Sequence, residues 1–376
     1  MRLFRAGSTF FRDRFGSSAR CRLRALAAGA ARSWAGWRWS RLAAYVTAAL
    51  AGSVLLALCG LALAAAPAAP GSTETVIFEV PPGAGTVTIA AELERQGLIR
   101  DRIEFRLLAT LLDWNSRLKA GRYDLSPGLS TWQILRKIGH GQVRTVAVTI
   151  PEGLTLAEIL RVLASAGFGT EESLRQALVE LDARGELPFL PQDRRRFIEP
   201  YEGILFPDTY FFAEQVSPQT VIRTMARRTE QVFSAELLAR AGELGLTPFE
   251  VLTLASIIEK EARVAAERSL ISSVYHNRLR ISMKLDACPT VRYVLGKPGS
   301  ERLLFADLEV DSPYNTYRNG GLPPGPICSP GLAAITAALY PAETRFYYFV
   351  SKNDGTHHFS RTLEEHLRAV RLYQGG

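Results

Sequence analysis

A chain of 376 residues with 47% hydrophobic side chains is long enough for two domains with their own cores and too apolar to be largely disordered. Its net charge of +8 belongs to one end: residues 1–42 hold ten arginines, no lysine and one aspartate, leaving 35 of the 45 basic and 36 of the 37 acidic residues for the rest. A nucleic-acid-binding domain keeps its basic stripe in the folded part, so that class is excluded.

The basic tail (1–42) runs into an uncharged stretch, 43–66, long enough to cross a bilayer as a helix of ~20 residues. An apolar core that begins so far from the start of the chain argues for a transmembrane helix over a secretory signal, with cleavage after Ala66 as the alternative. The positive-inside rule keeps the tail in the cytoplasm and places 67–376 in the periplasm or outside the cell. The arginine run, which could also be read as a nucleic-acid arm, then serves orientation and contact with anionic lipid. Residues 67–74 form a linker.

From 75 to 150 the pattern predicts a small α/β module. It comprises a strand over 76–80, amphipathic helices near 86–96 and 101–113, a strand at 121–125, a helix capped by Ser130 over 131–138 and an alternating strand over 143–150. Such a module reads either as a binding module or as a spacer between the rest of the chain and the membrane. Pro151-Glu152-Gly153 marks the boundary to a mixed α+β domain, 151–376.

In that domain, helices near 155–166 and 170–183 lead into 200–212, where aromatic residues alternate with turn residues. The block suits a cleft wall or a buried strand, and Glu202 and Asp208 are its two carboxylates. One long helix is predicted over 218–241. Thr247 and Glu250 then form a capping box, Pro248 fits the first turn, and Val251, Leu252, Leu254, Ala255, Ile257 and Ile258 supply an apolar arc. At ~100° per residue Glu259 falls inside that arc, Glu261 at its edge and Lys260 opposite. Burial makes a carboxyl costly to ionise, so Glu259 is expected to be protonated near neutral pH, as a general acid requires; the alternative is a solvated or ion-paired side chain.

Next come a helix over 267–280, another from Pro289 to Val294 and a loop over 311–326. The loop is too rich in glycine and proline for regular structure, and its length marks it as functional, with Tyr314, Asn315, Thr316 and Tyr317 as ligand partners. A helix over 331–339, a strand over 346–350 and a helix over 362–373 complete the scaffold. His357-His358 invites a metal assignment, but adjacent strand residues face opposite ways and no third ligand is evident in the sequence. Gly-x-Ser-x-Gly, zinc-ligand spacing and a phosphate-cradling glycine loop are missing from it.

These blocks together carry a resemblance. Leu254-Ala255-Ser256-Ile257-Ile258-Glu259-Lys260-Glu261, Glu267-Arg268, Asn277-Arg278-Leu279 with Met283, and Pro289-Thr290-Val291 with Tyr293 stand in order. Ser312-Pro313-Tyr314-Asn315-Thr316-Tyr317 and Gly321-Leu322-Pro323-Pro324-Gly325-Pro326-Ile327 come after them, closed by Ser329-Pro330-Gly331. With the block at 200–212, this set resembles the MltG (YceG-like) family of endolytic murein transglycosylases over roughly residues 75–375. The resemblance implies a single transmembrane helix, a LysM-like module and a YceG-like catalytic domain. It implies Glu259 as the catalytic acid/base; Tyr314, Asn315, Thr316, Tyr317, Glu202 and Asp208, read from their own segments, are the candidates for substrate binding. Peptidoglycan glycan strands are the implied substrate and peptidoglycan synthases the implied partners, with no metal or organic cofactor; the competing reading is a murein-binding scaffold that does not cut. At Cys288 the chain departs from the acidic residue common in the family. Cys288 and Cys328, both in the exported part, are expected to form a disulfide, the alternative being two free thiols.

Overall fold

The computed structural model describes residues 41, 43–55, 66–298 and 301–375; the basic tail up to residue 40 and part of the expected span, 56–65, lie outside the described residues. Ala43–Leu55 is an apolar helix (α1), and among the described residues no single helix is long and apolar enough to cross a membrane. The chain divides into two units, one ending at Gln142 and the other beginning at Val143. Both mix helices with two-stranded antiparallel sheets.

In the first unit β1 (Val76–Val80) pairs with β2 (Gly121–Leu125), Phe78 opposite Tyr123, beside α2 (Thr86–Arg95), α3 (Arg102–Leu111) and α4 (Thr131–His140). Phe78, Val80, Tyr123 and Leu125 fall on one face of this ribbon and are buried, as are Ile89, Leu93, Phe105, Leu108, Ile134 and Ile138 on the helices. Period-2 alternation in the strands and 3.6-residue spacing in the helices produce those two sets. Asp101 caps α3 by accepting the Ile103 N–H at 2.6 Å, and Ser130 with Gln133 forms a capping box on α4.

The strand expected over 143–150 is β3 (Thr145–Thr149), but its partner is β4 (Thr209–Ala213), Val148 opposite Tyr210. It therefore lies in the second unit, where Val148 and Ile150 share a core with Tyr210, Phe212 and the buried faces of α5 (Leu156–Ser165), α6 (Glu171–Ala183) and α7 (Pro218–Val232). A second core surrounds α9 (Pro248–Glu261), packed by α8 (Ala235–Glu243), α10 (Arg268–Arg280), α11 (Cys288–Leu295) and α12 (Leu332–Leu339). The hairpin β5 (Tyr348–Ser351)–β6 (His357–Ser360) and α13 (Leu363–Gln374) close the unit.

Two expectations need correction. The single helix over 218–241 is broken at Phe233 (ψ 75°), and Ser234 starts α8 afresh by accepting the Leu237 N–H. β6 was not foreseen, because His357-His358-Phe359-Ser360 has no apolar alternation; pairing with β5 makes it a strand.

Candidate active site

α9 opens on the expected capping box, with the Thr247 N–H donating to Glu250 at 2.8 Å and the Glu250 N–H to Thr247 Oγ1 at 3.2 Å. From Val251 to Ile258 every residue is buried, so the helix lies at the centre of the second of the unit's two cores and packs on all sides. Its hydroxyls are satisfied within the fold. Thr253 Oγ1 donates to the Phe249 carbonyl at 2.8 Å and Ser256 Oγ to that of Thr253 at 2.7 Å. Ser256 Oγ also accepts the Ile327 N–H at 3.0 Å, which lays the segment 327–331 across the last turn of α9.

Glu259 is held there. Its side chain is 9% exposed, and Oε2 accepts the N–H of Gly331, the residue that caps α12, at 3.1 Å. An N-terminal amide of a helix has no partner of its own helix, and the helix dipole favours an anion beside it. The Arg268 guanidinium, at the start of α10, lies 3.8 Å from Oε1. The turn 151–154 closes another side: Gly153 N–H donates to the Ser329 carbonyl and Ser329 N–H to that of Leu154, each at 2.8 Å. This seats Glu152 against Gly331, where a Cβ would lie 1.8 Å from Glu152 Oε1. Burial and the nearby Glu259 charge push the Glu152 carboxyl up, against the pull of Arg268.

Four separate segments thus meet at Glu259. In the sequence Pro151-Glu152-Gly153 marks only a boundary and Arg268 stands only within a block, so neither points to Glu259. The carboxylate in that turn was the one signal on offer, and no local pattern links it to α9. Chemically, a nearly enclosed carboxyl with one amide donor and one guanidinium close by can give up a proton and take one back.

The neighbouring carboxyls differ. Burial pushes Glu261 up to about 7, opposed by His357 and by the Tyr275 hydroxyl, which donates to it at 3.4 Å. Glu202 is 2% exposed: it accepts the Leu156 N–H at 2.8 Å and the Tyr293 hydroxyl at 3.2 Å, and burial pushes it up to about 8. Asp208 pairs with Arg228 of α7 at 2.9 Å on the surface. Both carboxylates are thus engaged within the fold, Glu202 in the core and Asp208 in a surface ion pair.

The loop residues are also tied into the fold. Tyr314, Asn315 and Thr316 are buried. Asn315 Nδ2 donates to the carbonyls of Leu308 and Val310, each at 2.8 Å, and Thr316 Oγ1 accepts the Ala287 N–H at 2.9 Å. The Tyr314 ring packs on Tyr293, with centroids 5.4 Å apart. These side chains shape the loop, and a glycine- and proline-rich loop needs such internal ties because it forms no ladder of its own. Tyr317 is half-buried, its hydroxyl 3.0 Å from Cys288 Sγ. The expected Cys288–Cys328 disulfide is not formed: Cys288 is exposed beside Tyr317, while Cys328 is buried with its thiol toward the Ser256 carbonyl, so each sulfur has its own surroundings.

His357 pairs with Glu267, Nδ1 to Oε2 at 2.7 Å, while its backbone N–H donates to Oε1 at 3.0 Å. This ties β6 to the start of α10. Among the described residues no group of three or more His, Cys, Asp or Glu side chains could hold a metal ion.

Residues 78–372 match the YceG-like family. A Bacillus subtilis (strain 168) protein named endolytic murein transglycosylase is 33% identical over 325 residues, covering 82% of this chain and 87% of that protein. A Streptococcus pneumoniae (strain D39) protein of the same name is 30% identical over 323 residues, which are 80% of this chain and 58% of that longer protein. The crystal structure of a YceG-like protein from Listeria monocytogenes superposes with a TM-score of 0.54 at 34% identity, covering 79% of this chain and all of that one.

Proposed function

The chain belongs to the YceG-like family, and on that premise we propose that it is an endolytic murein transglycosylase, a lyase acting on peptidoglycan, with Glu259 as its single acid/base. The observation that carries the assignment is the enclosure of Glu259 by Gly331, Arg268 and the 151–154 turn. Protonated Glu259 gives its proton to the glycosidic oxygen between N-acetylmuramic acid and N-acetylglucosamine. The bond from that oxygen to the muramic anomeric carbon breaks, its electrons staying on the oxygen. The Glu259 carboxylate then takes the proton of the C6 hydroxyl of the same muramic residue, whose oxygen closes on the anomeric carbon. The products are a 1,6-anhydro end, a free N-acetylglucosamine hydroxyl and a reprotonated Glu259. Attack from within one sugar needs no positioned water, so one carboxyl suffices where a hydrolase uses two.

Endolytic cutting of nascent strands would limit their elongation, next to the synthases that make them. The ten arginines ahead of the apolar run support a single-pass membrane anchor with the tail in the cytoplasm and the catalytic unit outside. The first unit is read as the LysM-like module.

The test is mass spectrometry of murein incubated with the purified full chain. Release of anhydro-ended fragments by the parent, and a fall of at least ~10²-fold in Glu259→Gln with murein binding kept, are the expected results. Binding without any release by the parent would leave a murein-binding scaffold.

A further inference from the structure

Three features around Glu259 are not used by a mechanism with one carboxyl. The Arg268 guanidinium stands 3.8 Å from Oε1, beyond hydrogen-bond distance, and its Nε is buried with no hydrogen-bond partner among the described residues. The start of α10 is fixed by the Glu267–His357 pair, so Arg268 is kept near Glu259 without being locked to it. Glu152 approaches Gly331, whose N–H binds Glu259, so closely that only a residue without a side chain fits there. A cation and an anion thus flank one acid.

Building on the acid/base reading of Glu259, we propose that Arg268 and Glu152 are positioning residues of opposite charge that balance Glu259 through its proton exchange. Arg268 favours the carboxylate left once the proton has gone to the glycosidic oxygen. Glu152 favours return of the proton when the C6 hydroxyl gives it up. The two biases oppose each other, so neither form of Glu259 becomes a dead end, as a group that must act first as acid and then as base requires. The Cys328 thiol also feels Glu259, and Lys260 on the same helix, Glu158 of α5 and the buried Glu202 act on that thiol; all of these are the same in the parent and in every variant tested.

The experiment tracks anhydro-end release by the full chain in detergent from about pH 5 to pH 9. Activity falls on the alkaline side of its optimum. In Arg268→Gln this limb moves to higher pH by on the order of one unit, with kcat down about tenfold and KM little changed. In Glu152→Gln it moves to lower pH by a similar amount. Arg268→Lys restores the limb, and the double variant Glu152→Gln/Arg268→Gln brings it back toward the parent's position. Limbs that stay in place or move the same way would overturn the proposal, as would an Arg268→Lys that behaves like Arg268→Gln. A raised KM with kcat intact would assign Arg268 to substrate binding and overturn it too. Should Arg268→Gln fail to fold, Arg268→Lys and Glu152→Gln still read the retained charge and the opposite sign. Full cleavage by Glu259→Gln would instead remove the acid/base assignment beneath it.

Discussion

Glu202 lies 2% exposed between the first amide of α5 and the Tyr293 hydroxyl of α11. Burial pushes its carboxyl from 4.5 up to about 8. In that window the unfolded chain has released the proton and the folded chain has kept it. Stability therefore falls as pH rises from about 4.5 to about 8, by on the order of a few kcal/mol from this group. Glu261, pushed up to about 7, adds to the same slope. Glu202→Gln can still accept the Leu156 N–H through its amide oxygen, so we expect the variant to show a shallower loss of stability across that range and to gain on the parent most at pH 8. Urea midpoints at pH 5 and pH 8 measure this, and equal slopes in variant and parent would refute it.

α9 works as an element because its surroundings are tied to it. The Ile327 N–H ends on Ser256 Oγ, and a few residues on, Gly331 reaches Glu259. The same segment meets the 200–206 block, where Gly203, at φ 77°, comes so close to Pro326 that a Cβ would lie 2.5 Å from the proline Cβ. Ser256→Ala removes the acceptor and leaves a buried N–H unpaired, at a cost of about 1–3 kcal/mol. For a unit of this size that is a fall of several degrees in Tm. Anhydro-end release should fall with it, since the Gly331 amide is held by the same segment. A variant that melts lower yet cleaves at the parental rate would show that the segment does not position Glu259.

For the whole molecule the uneven charge is the governing feature: ten arginines stand before the apolar run and a near-neutral remainder after it. Protease added to intact spheroplasts is expected to digest the chain beyond Pro67, and protection of that region would sink both the orientation and the murein function. That asymmetry was legible in the sequence, as were nearly all the helices and the caps at Ser130 and Thr247, because period, capping residues and charge act over a few neighbouring positions. The sequence also placed Glu259 on a capped apolar helix, inside a local block. Only the tertiary structure moved β3 into the second unit, turned Tyr314, Asn315 and Thr316 inward and gave Cys288 and Cys328 separate surroundings. It alone brought Glu152 and Arg268 to Glu259. Strand partnership, burial and the meeting of side chains far apart in the chain depend on which surfaces pack together, and the pattern within any one segment does not contain that information.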